Sequence, residues 1–228
     1  MKKICVFVGG RANYSSIKSV MSAVKAHPKL ELQVVLGASA ILDRFGKVED
    51  LIRKDGFEPN FVFHNIVEGE TPATMAKSTG LGLMDASMIF DNLQPDILVV
   101  VGDRFEMMSV TLAAAYMNII IVHTMGGEVT GTIDESIRHA ITKFAQIHFP
   151  ANEDSRQRII KMGEDPEFVF NVGCPRTDLV ADELKNDSYQ VLNSIFKIFG
   201  GVGKDFNLKE PYLLVSQHSV TTEFGNNR

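Results

Sequence analysis

The sequence is poor in cysteine, has no surplus of basic residues and contains no long apolar run. Its two cysteines are Cys5, in an apolar run, and Cys174, before a proline, so neither a disulfide nor paired metal binding is expected. A net charge of −5 argues against a surface for nucleic acids or anionic membranes. The apolar run after Lys2 and Lys3 ends at Gly9, which is too short for a signal peptide or a membrane span. We therefore expect a soluble, cytoplasmic protein.

Hydrophobic residues make up 45% of the 228 residues, and they recur in alternating strand-like and helix-like segments. This alternation is typical of an α/β fold with a parallel sheet and helices on both faces. The polar segment 65–83 is predicted as a loop, either a lid or an ordinary connection. Strands are predicted at Lys3–Val8, Leu32–Leu36, Phe61–Phe63, Asp96–Val101, Ile119–Val122, Gln146–Phe149 and Phe168–Val172. Helices are predicted at Tyr14–Lys25, around Ile41, at Val48–Lys54, up to Leu93, and at Phe105–Met117, Ile133–Phe144, 152–162, Asp178–Leu184 and Tyr189–Phe199.

The composition changes near the C-terminal end. Residues 1–199 are predicted to form the α/β domain, and the glycine-rich segment 200–210 is predicted to be a linker. Tyr212–Val215 follows as one more apolar strand. We interpret 211–228 as the start of a second domain that is largely missing.

The stretch 119–149 combines a predicted strand, a glycine-containing turn and an amphipathic helix. A helix N-terminus at the carboxyl end of a strand favours an anionic ligand. The turn and the first helical turn contain His123, Glu128, Asp134 and Glu135. Thr132 lies three residues before Glu135, which predicts a capping box. The sequence therefore indicates an anion site beside several carboxylates.

Several of these side chains also have a purely structural interpretation. Arg11, after the first strand, suits a phosphate, but local sequence alone favours a solvated loop arginine. Asp103, after a buried strand, suits a ligand site or a helix N-cap. Asp134 also favours the helix dipole, and Arg138 is spaced to pair with Asp134 or Glu135. His139 and His148 are interpreted as structural, and Arg156 and Arg158 as solvated.

Five stretches of the chain resemble the hydrolysing UDP-N-acetylglucosamine 2-epimerases, and they follow the family order. The run GGEVTGTIDESIRHAITK at 126–143 is the most specific of them. The others are GGRANYSSIK at 9–18, TPATMAKSTGLGL at 71–83, VGDRFEM at 101–107 and VSQHSVTTE at 215–223.

The resemblance implies a glycosyltransferase-B-like architecture of two Rossmann-like domains, of which this chain is the N-terminal half. It implies cleavage of the bond between the sugar and UDP, a glycal intermediate and inversion at C2, which yields N-acetylmannosamine for sialic acid synthesis. Relatives act on UDP-N,N′-diacetylbacillosamine or GDP-linked sugars. The resemblance implies no metal and no nicotinamide cofactor, and a homodimer or homotetramer.

The resemblance also implies roles for individual residues. Clustered carboxylates should raise at least one pKa, so that one acts as acid and another as base. The expected catalytic residues are Asp103, Asp134, Glu128 and His218. The expected substrate-binding residues are Arg11, Ser15, Arg104, His123, Gly126, Gly127 and Arg138.

The chain departs from the family pattern in two ways. Where many members carry a catalytic glutamate, this chain has Met125, so Glu128 supplies the carboxylate, Asp103 and Asp134 share its work, or the activity is altered. The chain is also short, and we expect the 228-residue chain alone to be almost inactive. The alternatives are a glycosyltransferase of the same shape and a non-catalytic module that binds sugar nucleotides.

Overall fold

Six apolar runs of the chain pair into one parallel sheet, because their β-branched and apolar side chains suit a sheet covered on both faces. The pairing joins Val8 to Leu36 and Val101 to Thr124, for example. The strands are β1 (Lys2–Val8), β2 (Leu30–Leu36), β3 (Phe61–Val62), β4 (Ile97–Val101), β5 (Ile120–Thr124) and β6 (Ile147–Phe149).

The computed structural model describes residues 1–185, 198, 202–203 and 210–215. Residues 1–178 form one compact unit, which contains the whole sheet, and 179–228 belong to a second unit. The predicted helix at Tyr189–Phe199 and linker at 200–210 lie almost entirely outside the described residues, and His218 lies wholly outside them. No helix in the described part of the chain combines the length and apolarity needed to cross a membrane.

The helices alternate with the strands, as the sequence predicts. Short 3-10 turns also occur at Ala38–Ile41, Asp43–Phe45 and Pro166–Phe168. The helices are α1 (Arg11–Ser15), α2 (Lys18–Ala26), α3 (Val48–Lys54), α4 (Pro72–Leu93), α5 (Phe105–Tyr116), α6 (Ile133–Phe144), α7 (Glu153–Lys161) and α8 (Arg176–Glu183).

The strand order is β3-β2-β1-β4-β5-β6, so the direction of winding reverses between β1 and β4. In sheets of this kind, ligands bind in the crevice beyond the carboxyl ends of the strands at the reversal. The predicted Rossmann-like α/β class is confirmed. The fold therefore directs attention to the loops that follow β1, β4 and β5.

The core consists of two apolar layers, because successive side chains of a strand point to opposite faces. Phe7 and Val100 pack in one layer with residues of α4, α5 and α6. Val6 and Val101 pack in the other with residues of α2 and α3. The sheet is thus buried on both faces, and its strand ends are held rigidly.

The helix predicted at Tyr14–Lys25 is two helices, α1 and α2. The chain turns at Ser16 and Ile17, whose backbone N–H groups donate to Asn13 and Tyr14, three residues back. These short turns replace the regular helical bonds, so the apolar periodicity continues through a break that it does not reveal.

Most of the loop predicted at 65–83 is helical, because α4 starts at Pro72. Thr71 and Thr74 form a reciprocal capping box, and proline suits the first helical position. Gly82 lies in this helix because a Cβ there would come within 2.9 Å of Ser109 Oγ on α5. The glycine therefore marks close packing of two helices, whereas the sequence alone suggested a loop.

Two predicted strands are not strands in the structure. Pro166–Phe168 is a 3-10 turn, and Val169 makes only a single parallel bridge to His148. Tyr212–Val215 belongs to no strand and is exposed. An apolar run becomes a strand only where a neighbouring strand pairs with it, and sequence does not reveal that pairing.

Candidate functional site

The site is built on the carboxyl edge of the sheet, where the loops after β4 and β5 meet α6. The loop after β4 contains Asp103 and Arg104, and α6 begins with Ile133 and Asp134. Parallel strands all end at the same edge, which brings together residues far apart in the chain. The sequence places these residues in separate segments, and the topology assembles them.

Arg138 ties the two loops together from α6. Its guanidinium donates from Nη2 to Asp103 Oδ2 and from Nη1 to the backbone oxygen of Glu128, the latter at 2.7 Å. The Arg138 side chain is 2% exposed and that of Asp103 is 26% exposed. Arg138 therefore pairs with groups from the loops after β4 and β5, and not with Asp134 or Glu135 as its helical spacing predicted. Arg138 supports Asp103 and has no exposed face of its own for substrate.

Asp134, the second residue of α6, completes a carboxylate pair with Asp103. Burial raises the pKa of Asp134, and the negative charge of Asp103 raises it further, while Arg104 and Arg138 oppose the rise. This agrees with the expectation that clustered carboxylates raise at least one pKa. Asp103 is not the N-cap of α5, because Arg104 occupies that position and makes no side-chain cap bond.

Arg104 is a second cation that acts on this pair, besides Arg138. Its side chain is 47% exposed, and its Nε donates to Glu106 Oε1 at 2.8 Å. The charge of Glu106, followed by those of Asp134 and Asp103, raises the pKa of Arg104 against the opposing effect of its burial. A partly exposed guanidinium is suited to bidentate binding of a phosphate.

Glu106 is a residue of this site that the sequence analysis did not select. Its side chain is fully buried, and its Oε2 has no hydrogen-bond partner among the described residues. Burial raises the pKa of Glu106, whereas Arg104 lowers it. A glutamate in the apolar run FEMMSV at 105–110 is unusual, because buried carboxylates need a partner. That run was the signal that could have identified Glu106.

His123 lies beneath the loop after β4. It is a strand residue and fully buried; its Nε2 lies 2.8 Å from the oxygen of Gly102 and its Nδ1 lies 3.2 Å from Thr142 Oγ1. Burial lowers the pKa of His123 to about 4, so the ring is neutral near pH 7. A carbonyl oxygen only accepts, so Nε2 donates to it. In this geometry His123 supports the loop after β4.

Gly126 and Gly127 are buried, and packing explains both. A Cβ on Gly126 would lie 2.9 Å from His123 Nδ1. Gly127 has a φ of +79°, and a Cβ there would collide with the backbone oxygen of Ser155. Arg158, predicted to be solvated, instead donates to the backbone oxygen of Gly127. The two glycines therefore let α7 and His123 approach the loop.

Met125 precedes these glycines in a left-handed conformation, with a φ of +60°. Its N–H donates to the oxygen of Phe149 at 2.9 Å, and its side chain packs against the apolar layer that contains Val6. The position at which the resemblance implied a glutamate is thus apolar in its surroundings here.

Glu135 caps the loop before α6 instead of forming the predicted capping box. Its Oε2 accepts from the N–H groups of Thr130 and Gly131 at 2.6 and 2.7 Å, which lowers the pKa of Glu135. Thr132 makes no side-chain cap bond. The carboxylate therefore fixes the loop, which leaves Asp134 as the acidic residue of α6 that pairs with Asp103.

Arg11 and Ser15 lie on α1, after β1. Arg11 is exposed and lies against Gly46, while the Ser15 hydroxyl donates to the oxygen of Ala12 at 3.0 Å. No described contact links either residue to the carboxylate pair. Asn13, which the sequence analysis did not select, is buried and donates to the oxygen of Val101 at 3.3 Å. Asn13 thereby joins the loop after β1 to the end of β4.

The arrangement offers groups for proton transfer and for binding an anion. Asp103 and Asp134 are two carboxylates in different environments, which suits one acid and one base. Arg104 supplies a cation beside them. No group of three or more His, Cys, Asp or Glu side chains in residues 1–185 and the other described positions is arranged to hold a metal ion.

Comparison with known proteins places this site in a family context. The chain is 33% identical over 193 residues to a UDP-N,N′-diacetylbacillosamine 2-epimerase (hydrolyzing) of Legionella pneumophila, which covers 85% of the chain and 51% of that protein. It is 28% identical over 223 residues to a UDP-N-acetylglucosamine 2-epimerase of Neisseria meningitidis serogroup B, with coverage of 98% and 56%. The chain thus spans about half the length of the curated relatives it matches.

Comparison with solved structures finds a similar fold. The crystal structure of UDP-GlcNAc 2-epimerase from Neisseria meningitidis bound to UDP-GlcNAc superimposes with a TM-score of 0.73 at 20% identity, covering 87% of this chain and 54% of that one. The family model for UDP-N-acetylglucosamine 2-epimerase matches residues 22–228, nearly the whole chain. The chain therefore belongs to the UDP-N-acetylglucosamine 2-epimerase family.

Proposed function

We propose that the chain provides the sugar-facing half of a hydrolysing sugar-nucleotide 2-epimerase. The substrate is UDP-N-acetylglucosamine or a closely related UDP- or GDP-linked N-acetyl sugar, and the products are the N-acetylmannosamine-type sugar and the nucleoside diphosphate. The observation that carries the proposal is the carboxylate pair Asp103 and Asp134, held with Arg104 and Arg138 at the carboxyl edge of the sheet. The name of the Legionella relative supports the hydrolysing type.

The first half-reaction is an elimination. The bond between C1 and the diphosphate oxygen breaks, the C2 proton passes to a carboxylate, and the glycal remains. Arg138 occupies Oδ2 of Asp103, and Oδ1 makes no hydrogen bond within the described chain, so Oδ1 is the oxygen assigned to the C2 proton. Arg104 stabilises the charge that develops on the departing diphosphate.

The second half-reaction is a hydration. Water adds its oxygen to C1 of the glycal and gives up one proton to a carboxylate of the site, while another proton is delivered to C2 from the opposite face. Asp134 suits the donor of this proton, because its raised pKa keeps it protonated at higher pH than an ordinary aspartic acid. Glu128, whose backbone oxygen is fixed by Arg138, is our candidate for the carboxylate that replaces the glutamate absent at Met125.

Turnover in deuterated water tests the reaction. With UDP-N-acetylglucosamine, the complete gene product should release UDP and deliver a sugar with deuterium at C2 and inverted configuration. A glycosyltransferase would release UDP only with an acceptor, and a non-catalytic module, which Met125 favours, would bind without releasing UDP. Either result overturns the proposal. The same assay on the 228-residue chain decides the expectation that the chain alone is almost inactive.

The assembly and the sugar are separate parts of the proposal. We expect a homodimer or homotetramer in the cytoplasm, and light scattering of the purified protein measures the assembly. A panel of UDP- and GDP-linked N-acetyl sugars, ranked by kcat/KM, identifies the substrate. Sialic acid or a related acid is the expected destination of the product.

A further inference from the structure

Glu106 and Arg104 form an ion pair in which the carboxylate is buried and the arginine is partly exposed. The Glu106 carboxylate is wholly buried below the loop after β1, where a Cβ on Gly9 would lie 2.6 Å from its Cγ. Arg104 is partly exposed, and its Nε is bound to Oε1 of Glu106. Within the described residues, the two terminal nitrogens of Arg104 make no hydrogen bond. The buried carboxylate thus binds Nε of the guanidinium and leaves the two terminal nitrogens available to another ligand.

Arg104 has other carboxylates to choose from. Asp134 and Asp103 are the acidic neighbours that affect Arg104 most after Glu106. An arginine beside several carboxylates pairs bidentately with one of them unless another group holds it. If Arg104 paired with Asp134 or Asp103, its N–H donors would no longer be available to an anion, and the paired carboxylate would no longer be available for proton transfer.

We propose that Glu106 is a positioning residue, which holds the Arg104 guanidinium away from Asp103 and Asp134 and keeps its terminal nitrogens free for a diphosphate. The role of the diphosphate as leaving group rests on the proposed function, whereas the binding of a diphosphate does not. Burial strengthens the Glu106–Arg104 attraction, because water does not screen the buried carboxylate. Within the described residues, Arg104 is the only side chain that hydrogen-bonds the Glu106 carboxylate, and Oε2 has no partner.

Binding of inorganic pyrophosphate to the 228-residue chain, followed by calorimetry, tests the proposal. Glu106→Gln keeps the shape but removes the charge, and we expect pyrophosphate to bind about 10-fold more weakly. In an Arg104→Met background, Glu106→Gln should cause no further loss, because Glu106 acts through Arg104. Glu49→Gln is the matched control, since the Glu49 carboxylate accepts from Nε of Arg53 on the exposed face of α3.

A titration of the Asp134 carboxyl by carbon-13 NMR gives a readout that a general loss of stability does not move. Glu106→Gln should lower the pKa of Asp134, because Arg104 is then free to pair with it. The charged groups that act on Asp134 are Asp103, Arg104, Arg138 and Glu106 itself. Loss of the Glu106 charge also lowers the pKa of Asp134 directly, so the same titration in the Arg104→Met background measures that part, and the proposal requires a larger fall when Arg104 is present.

Several results would overturn the inference. The first is a wild-type chain that does not bind pyrophosphate, and the second is a Glu106→Gln variant that binds it as tightly as wild type. The third is a loss of pyrophosphate affinity on Glu106→Gln that is as large in the Arg104→Met background as in the wild-type background. If Glu106→Gln does not fold, exchange of the Arg104 Nε–H in the wild-type chain decides the matter: slow exchange supports the pairing, and rapid exchange overturns it. If pyrophosphate binding depends on Glu106 only when Arg104 is present, but the complete gene product incorporates no deuterium, this inference stands and only the proposed function is overturned.

Discussion

Arg138 and Asp103, 35 residues apart in the chain, form an ion pair that joins α6 to the loop after β4. The arginine is buried and the aspartate is only partly so. The pair therefore fixes one carboxylate oxygen from within the protein, while the other side of the carboxylate stays accessible to a ligand.

Arg138→Met should destabilise the fold by about 2–4 kcal/mol, because it leaves Asp103 and the Glu128 carbonyl without their donor. The lower part of this range is expected, because water reaches the Asp103 side chain, which is 26% exposed. Urea unfolding measures the change. Arg53→Met is the control on an exposed surface, and it should cost less than about 1 kcal/mol. Equal losses in the two variants would contradict the structural importance of the pair.

Asp103→Asn should lower kcat about 10²–10⁴-fold, because the amide cannot accept the C2 proton. The measurement is UDP release from UDP-N-acetylglucosamine by the complete gene product. Asp96→Asn is a suitable control, because Asp96 binds Lys2 and the Lys3 N–H just before β4, at the opposite edge of the sheet. Wild-type turnover in Asp103→Asn would remove Asp103 from the mechanism.

Asp134→Asn should have a higher free energy of unfolding than wild type at neutral pH, and this advantage should be absent at acid pH. A carboxyl whose folded pKa is raised favours the folded state while it is protonated, and this advantage is lost as pH rises through the folded pKa. The gap between variant and wild type should therefore open above about pH 4, the ordinary pKa of aspartate. Unfolding free energies measured across this range give the gap, and a constant gap would contradict the raised pKa.

His123 should make the fold sensitive to acid. Its folded pKa of about 4 lies below the ordinary value, so the unfolded chain binds the proton more readily. Stability contributed by the neutral ring is present above about pH 6.5 and is lost as pH falls toward 4, by at most about 3 kcal/mol. His123→Gln should flatten this part of the curve of unfolding free energy against pH. A variant with the wild-type slope would exclude His123 as the cause.

Gly127→Ala should cost about 3 kcal/mol or more, because it adds a collision with Ser155 to a left-handed backbone. Gly131→Ala is the matched comparison. It has a φ of +71° but open space around its Cβ position, so only the backbone cost of about 1 kcal/mol applies. Thermal unfolding of the two variants separates steric collision from strain, and equal Tm values would contradict the packing argument.

The strands were predictable because their signal is local. Val99 and Val100 lie in an apolar run, and any such run between polar turns predicts a buried strand. The N-terminus of α4 was missed for the opposite reason. Gly80 and Gly82 suggest a loop, and only the packing of Gly82 against Ser109 shows why a helix contains them.

The fold brings together Asp103, Asp134 and Arg138, which the sequence analysis selected, but it gives them contacts that the sequence did not predict. Spacing along α6 predicted that Arg138 would pair with Asp134 or Glu135, but its partner comes from another strand end. Glu106 escaped notice because its role depends on burial under the loop after β1. Sequence patterns report neighbours along an element, whereas these contacts depend on which strands lie side by side.

The two packed glycines after β5 bear on how this protein can diverge. Gly126 and Gly127 are each confined by neighbouring atoms, so we expect a side chain at either position to destabilise the fold. The space around Gly102 and Gly131 is open by comparison. We therefore expect substitutions in the looser loops to be tolerated better than substitutions at the two packed glycines.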